Sequence, residues 1–294
     1  MIDVELQIAG PYNYRRVLER LGHDPLNTVD QNSIKVPLKI YGENIVANVS
    51  FAGSIEKPQC TVELPNDFKE EGLRKITEIF QLESPLLEVN EHFLHTNLAP
   101  LFKQYHGMPL TRDFDLYFCI MKTIIHQQLN IRFAYTLTER FVKSFGKEKD
   151  GVWFYPSAET VSELKYEDLR EMQFSQRKAE YVIDTSRLIA KGELDLEEVA
   201  LLTDEEVIET LIKIRGVGYW TAENILLFGL GRKNLFPVKD IGIQNAVKKL
   251  YNLEEKPSIE HLVKLSEAWS PFKSYASLYL WESLDNQKAP ELKK

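Results

Sequence analysis

The feature that most constrains this chain is a change of hydrophobic period near residue 85. Before it, apolar residues alternate with polar ones: Ile2, Val4, Leu6 and Ile8; Ile34, Val36, Leu38 and Ile40; Ile45, Ala47, Val49 and Phe51; more briefly Val62 and Leu64. A period of two sends successive side chains to opposite faces of a strand, so these runs predict an antiparallel sheet with one covered face. Tyr14 to Leu21 and Asp67 to Phe80 are the predicted covering helices, the second preceded by Pro65 and capped by Asn66. Beyond residue 85 the pattern becomes helical. Phe114 to Gln128 is apolar on nearly all sides and reads as a central buried helix. Asn130 caps a helix carrying Phe133, Leu137 and Phe141 on one stripe and stopped at Gly146, and Ser175 to Lys191 is another, ending before Gly192. Thr203 and Glu206 make a capping box for a helix reaching Lys213. Further helices are predicted at 219–230, 240–250, 258–269 and 274–284. The expected architecture is α+β, a small sheet domain followed by a larger all-α domain, with the boundary between residues 85 and 111.

At 294 residues, 44% apolar and 27% charged, the composition is that of an ordinary globular protein. No run approaches the roughly 20 apolar residues of a membrane helix, and the opening MIDVELQIAG lacks the regions of a signal peptide, so a cytoplasmic protein with no membrane partner is expected. Cys60 and Cys119 stand far apart, which excludes a disulfide framework and a thiolate metal or iron–sulfur site. With 36 Lys and Arg against 44 Asp and Glu, the formal charge is −8. On charge alone, a polyanionic partner is not expected.

Leu211 to Leu250 changes that expectation. A helix end is followed by Ile214-Arg215-Gly216-Val217-Gly218 and by a new helix at Tyr219. Two glycines two apart allow a sharp turn and close approach of the backbone to another group. The amides opening the second helix form a place for an anion such as phosphate. Alone, this turn is equally that of a plain αα-hairpin. Its surroundings are basic, however: residues 211–253 hold seven Lys and Arg against only Glu223 and Asp240. The acidity therefore lies on other surfaces, and an electrostatic partner of this one segment becomes reasonable.

The hairpin and its following helix, then Leu230-Gly231-Arg232, Phe236-Pro237-Val238-Lys239-Asp240, Trp269 to Ala276 (WSPFKSYA) and Trp281, resemble the helix-hairpin-helix (HhH-GPD) DNA glycosylases. Within them the match is to the AlkA-type 3-methyladenine DNA glycosylase II branch. Ile124 to Leu129 (IIHQQL) is similar to that family's Gln-containing helix end, and Phe174 to Ala179 (FSQRKA) to its mid-domain turn. The resemblance covers roughly 100–285, and the β-rich start is similar to the branch's N-terminal domain. It implies an N-terminal antiparallel sheet domain over 1–100 and an all-α helix-hairpin-helix domain over 101–294.

The resemblance also implies roles. Asp240 falls where the family keeps its catalytic aspartate, and the same residue serves as a helix N-cap. Breaking a glycosidic bond leaves positive charge on the sugar, which a pre-placed carboxylate stabilises while it orients or deprotonates water. A purine alkylated at N3 or N7 is cationic and leaves readily, so one carboxylate suffices. Trp220 and Phe272, then Tyr275, are implied as walls of the base pocket, holding the electron-poor base by stacking and cation–π attraction. For Tyr275, Tyr279 and Trp281 a place in the core is an equal expectation. Relatives that also nick the strand carry lysine where this chain has Trp220, so a monofunctional enzyme is implied. Gly216, Val217, Gly218, Arg215, Lys239, Thr221 and Gln127 are implied contacts to DNA, with His126 and Arg132 near the opposite strand. Gln128 or Leu129 would fill the gap left by the extruded base. The carbonyls of Ile212, Ile214 and Val217 are implied to hold a monovalent cation, and no other cofactor is required. The expected partner is duplex DNA with alkylated bases, handled by a monomer whose product passes to an abasic-site endonuclease. Two rivals remain: a glycosylase for oxidised or deaminated bases, and a non-catalytic protein that binds damaged DNA.

Overall fold

A computed structural model of the chain describes residues 1–285. The alternating runs form one five-stranded antiparallel sheet from β1 (Ile2–Gln7), β2 (Thr28–Val29), β3 (Ser33–Ile40), β4 (Glu43–Gly53) and β5 (Pro58–Leu64), in the spatial order β1-β5-β4-β3-β2. The register sets Val36 opposite Ala47, Val49 opposite Val62 and Phe51 opposite Cys60, which gathers the buried side chains on one face. β2 is too short to show a period. Because it pairs only with Ile34 and Lys35, Pro37 lies past its end, and the missing N–H removes no bond on that side.

Helices α1 (Tyr14–Leu21) and α2 (Lys69–Phe80) cover the sheet. Asn66 is not the cap of α2. It begins a 3-10 turn over Asn66–Phe68, and neither that turn nor α2 has a side-chain cap bond. Glu70 and Glu71 instead place negative charge in the first turn of the helix.

The chain continues through α3 (Leu86–Leu94) and α4 (Ala99–Gln104) to the central α5 (Leu116–His126), buried along most of its length. α6 (Ile131–Phe145) is capped by Asn130, whose side chain accepts from the Phe133 amide at 3.0 Å, and it ends at Gly146. A ribbon of β6 (Lys147–Lys149) and β7 (Val152–Phe154) then interrupts the helices. It leans on the N-terminal sheet: Lys35 Nζ donates to the Asp150 carbonyl at 3.0 Å and Lys149 Nζ to the Asn44 carbonyl at 2.7 Å. Helices α7 (Ala158–Ser162), α8 (Tyr166–Glu171), α9 (Gln176–Ala190), α10 (Leu196–Leu201) and α11 (Asp204–Leu211) follow, the last with both halves of the Thr203–Glu206 capping box in place. The remaining helices are α12 (Tyr219–Asn224), α13 (Ile241–Leu250), α14 (Ile259–Ser266) and α15 (Lys273–Asp285). α12 runs directly into a π turn over Ile225–Gly229. The carbonyls of Phe228 and Gly229 in that turn accept from the Asp113 amide at 2.7 Å and Arg112 Nε at 2.9 Å.

Buried side chains gather into two clusters that do not follow chain order. One joins the sheet, α1 to α4 and the C-terminal helices; the other is built around α5, α6, α9 and the hairpin. The first is stitched by a stack of Phe93, Phe102 and Tyr279, each pair of centroids 3.9 Å apart, and by the Trp269 indole donating to Asn97 Oδ1 at 3.0 Å. The last helices thus return across the molecule to the sheet domain, and the groove between the clusters is where the chemistry-bearing residues collect. Among the described residues no helix is long and apolar enough to cross a membrane.

Candidate active site

Asp240 caps α13 and is half-buried. Its Oδ1 accepts from the Ile243 amide at 2.9 Å and from Trp281 Nε1 at 2.8 Å, and its Oδ2 accepts from Trp220 Nε1 at 2.8 Å. A carboxylate oxygen has about two acceptor positions. Oδ1 is therefore filled, while Oδ2 keeps one position for an incoming group. Two indoles and a helix amide hold the carboxylate in one orientation.

Gly242 makes this closeness possible. A Cβ there would lie 2.9 Å from Asp240 Oδ1 and 3.1 Å from Trp281 Cδ1. Glycine inside a helix ordinarily costs about 1 kcal/mol relative to alanine. Gly242→Ala is therefore expected to push Trp281 off Asp240, read as a change in tryptophan fluorescence, with no rise in melting temperature despite the better helix former. An unchanged spectrum with a raised melting temperature would show that the methyl is accommodated without moving Trp281.

Trp220, Asp240 and Trp281 line a cleft of about 790 Å³. One wall is α1 of the sheet domain and the turn after it, through Arg16, Arg20 and Asp24; the opposite wall comes from α5, the start of α6, α12 and the end of α15. Phe228, in the π turn, extends the wall of Trp281 with ring centroids 5.8 Å apart. Deeper in the cleft Lys122 pairs with Asp113. His126 is turned inward to Thr138 Oγ1 at 3.0 Å. Burial, aided by Lys122 and Lys178, pushes its imidazole down to about 3, which favours the neutral ring. Glu223, half-buried one turn beyond Trp220, is pushed up to about 7 by burial, with Lys239 opposing and Asp240 adding to the rise. Large apolar side chains stand exposed beside the cleft: Ile131 (59%), Tyr219 (58%) and Ile241 (64%). Such a group marks a surface that meets a partner.

In the hairpin the two glycines do different work. Gly216 adopts φ +92°, and a Cβ there would fall 2.3 Å from the Tyr181 ring. Gly218 is extended and nothing lies within 4 Å of where its Cβ would be, so its backbone faces open space. Val217 is buried, its amide donating to the Ile214 carbonyl at 3.0 Å. Gln127 Nε2 donates to the Gly216 carbonyl and to Thr221 Oγ1, both at 2.9 Å, and Thr221 is 3% exposed. These two residues, expected as contacts to DNA, tie the hairpin to the end of α5, because the turn leaves a carbonyl that needs a donor. Lys178 Nζ completes the joint by donating to the carbonyls of Ile124 at 2.9 Å and Gln127 at 3.0 Å. Arg215 is exposed and paired with Glu180 at 2.5 Å; Lys239 is exposed with its ammonium over the Tyr219 ring at 5.9 Å. Gln128 is exposed at φ +55°, at the tip of the α5–α6 turn, whereas Leu129 packs against the core.

Phe272 and Tyr275 are not in the cleft. Both are buried in the first cluster, Phe272 edge-on to His92 at 5.5 Å. They sit at the beginning of α15, and only its far end, with Leu278, Trp281 and Glu282, reaches the cleft. At about 1.5 Å of rise per residue, Tyr275 is some 9 Å along the axis from Trp281. At that end of α15 it is Trp281 that lines the cleft. Gly242, Phe228 and Arg20 belong to the site with no local pattern to announce them. Among the described residues no group of His, Cys, Asp or Glu is arranged to hold a metal ion.

Comparison with known proteins places these features in a family. Residues 121–271 match the model of the HhH-GPD superfamily base excision DNA repair proteins. The Bacillus subtilis (strain 168) protein YfjP is 49% identical over 284 residues, covering 96% of this chain and 99% of its own. A second protein of that organism, named DNA-3-methyladenine glycosylase, is 32% identical over 245 residues, covering 78% and 80%. Among solved structures, the 3-methyladenine DNA-glycosylase from Archaeoglobus fulgidus superposes with a TM-score of 0.83 at 26% identity, covering 99% of this chain and 100% of that one. The chain belongs to the HhH-GPD superfamily of base excision DNA repair proteins.

Proposed function

We propose that the protein is a monofunctional DNA N-glycosylase that turns an alkylated purine out of duplex DNA into the cleft and hydrolyses its N-glycosidic bond. The observation that carries this reading is the Asp240 carboxylate, held between the indoles of Trp220 and Trp281 with one position of Oδ2 open. As the base departs, positive charge grows on the sugar; a carboxylate already oriented there lowers the barrier, and its open position accepts a proton from the attacking water. Electron-rich indoles suit a cationic base, at about 0.5–2 kcal/mol for each well-placed contact. The name of the relative that is 32% identical supports an alkylated purine as substrate. Trp220 supplies an indole where a Schiff-base mechanism needs an amine, which supports hydrolysis without strand scission.

DNA would lie over the Gly218 amide and Lys239, with Gln128 at the exposed tip entering the gap in the duplex. Confined to one face of a chain with net charge −8, such binding weakens steeply with salt. We infer a monovalent cation at the hairpin carbonyls of Ile212, Ile214 and Val217; Ile212 and Val217 accept no backbone hydrogen bond among the described residues, and Ile214 accepts one. The product, an abasic site in an intact strand, passes to an endonuclease, and the enzyme acts as a monomer.

The test is incubation with methylated duplex DNA, chromatography of the free bases and electrophoresis of the strands. Expected are 3-methyladenine and 7-methylguanine, with nicks only after alkali. Nicking without alkali together with a borohydride-trapped adduct would make it a lyase. Tight binding to damaged DNA with no base released would make it a non-catalytic binder.

A further inference from the structure

Arg20, on α1 of the sheet domain, is unlike the other inward arginines of the cleft. Arg16 pairs with Glu19 and Glu282, and Arg112 pairs with Glu78 and donates to the Gly229 carbonyl. Arg20 forms no ion pair among the described residues; its hydrogen bond is a long one, 3.4 Å, to Thr111 Oγ1. The nearest acidic groups are already engaged, Asp113 by Lys122 and Glu282 by Arg16. A guanidinium carries five N–H donors and accepts nothing. Arg20 is half-buried at the cleft, with Asp113 and Glu282 near enough to act on it but neither paired to it, so its donors are open to a ligand.

Its position indicates which part of the ligand. The guanidinium lies over the Phe228 ring at 4.7 Å, Phe228 is 5.8 Å from Trp281, and Trp281 is bonded to Asp240. Two aromatic rings, tilted 37° to each other, thus stand between the Asp240 carboxylate and the Arg20 guanidinium. A base stacked along those rings with its sugar at Asp240 turns its far edge to Arg20. Resting on the function proposed above, the geometry points to Arg20 as the residue that reads the far edge of the extruded purine and favours a 6-oxo group over a 6-amino group. A carbonyl accepts from the guanidinium, whereas an exocyclic amine opposes donor to donor. The sheet domain thereby takes part in choosing the substrate, preferring 7-methylguanine to 3-methyladenine.

One methylated duplex contains both bases, so a single reaction reports the preference. Single-turnover rates of 7-methylguanine and 3-methyladenine release are measured for the wild type, Arg20→Met and Arg20→Lys, with melting curves to show that each is folded. Arg20→Met keeps the stem over Phe228 but removes the donors. It is expected to lower the ratio of the 7-methylguanine rate to the 3-methyladenine rate by about tenfold, the scale of a lost hydrogen bond to a charged group. Arg20→Lys, with donors but no planar fork, should fall between the two. If Arg20→Met does not fold, the fall in the ratio for Arg20→Lys decides. A ratio within about twofold of the wild type, or one that rises, overturns the inference. Wild-type enzyme that releases 3-methyladenine but not 7-methylguanine overturns it while the glycosylase reading stands; release of neither base overturns both.

Discussion

Asp240→Asn is expected to slow single-turnover release of alkylated bases by about a thousandfold, the scale of losing a pre-placed electrostatic group, while DNA carrying an abasic-site analogue binds nearly as before. The substitution is close to isosteric, so the helix cap can survive: the amide oxygen still accepts from the Ile243 amide. It cannot serve both indoles. Trp220 and Trp281 each donate to a different oxygen of the carboxylate, and an amide offers one oxygen and an NH2 group that faces a donor. Charge and geometry are thus lost together at the sugar, while the hairpin is untouched. Quench-flow measurement of base release, with titration of abasic-analogue DNA, checks both halves. A variant within tenfold of wild-type rate would remove Asp240 from the chemistry.

The second large effect is on stability. Gly216→Ala meets two obstacles at once, a backbone at φ +92° and the Tyr181 ring 2.3 Å from the new methyl. A loss of about 3 kcal/mol is expected from strain and overpacking together, which for a chain of this size lowers the melting temperature by roughly 6–12 °C. Gly218→Ala is the control. Its extended backbone accepts any residue and the methyl enters open space. It should melt with the wild type yet bind DNA more weakly, because the methyl stands where a phosphate would approach the amide. Equal melting temperatures for the two variants would show that the turn does not depend on Gly216.

Much of the architecture was legible because its signals are local. The alternating runs became β1, β3, β4 and β5, and the Asn130, Ser175 and Thr203 caps stand where the side-chain pattern put them. The β6–β7 ribbon was not foreseen, since three-residue strands leave no period to detect. Neither was the π turn after α12, which depends on Arg112 and Asp113 taking its carbonyls. Motif spacing singles out Asp240 and Trp220, and the structure brings the two together at one cleft. Phe272 and Tyr275 lie in the core, the alternative already open for Tyr275, because aromatic residues recur along this segment and their spacing does not say which end of α15 faces the cleft. Gln127 and Thr221 bond within the protein, a use that the sequence does not reveal because a polar side chain near a nucleic-acid motif can as well bind the protein's own backbone.

By itself, then, the sequence determined where the longer strands and most of the longer helices form, where the hairpin turns and which carboxylate starts a helix beside it. Those outcomes depend on propensities, caps and steric limits acting over a few residues. Only the tertiary structure decided that Trp281 lines the cleft, that Gly242 leaves room for it, and that Arg20 enters from the sheet domain. These groups lie far apart in the chain, and their meeting depends on how two cores pack, a sum of many small contacts that no local pattern encodes.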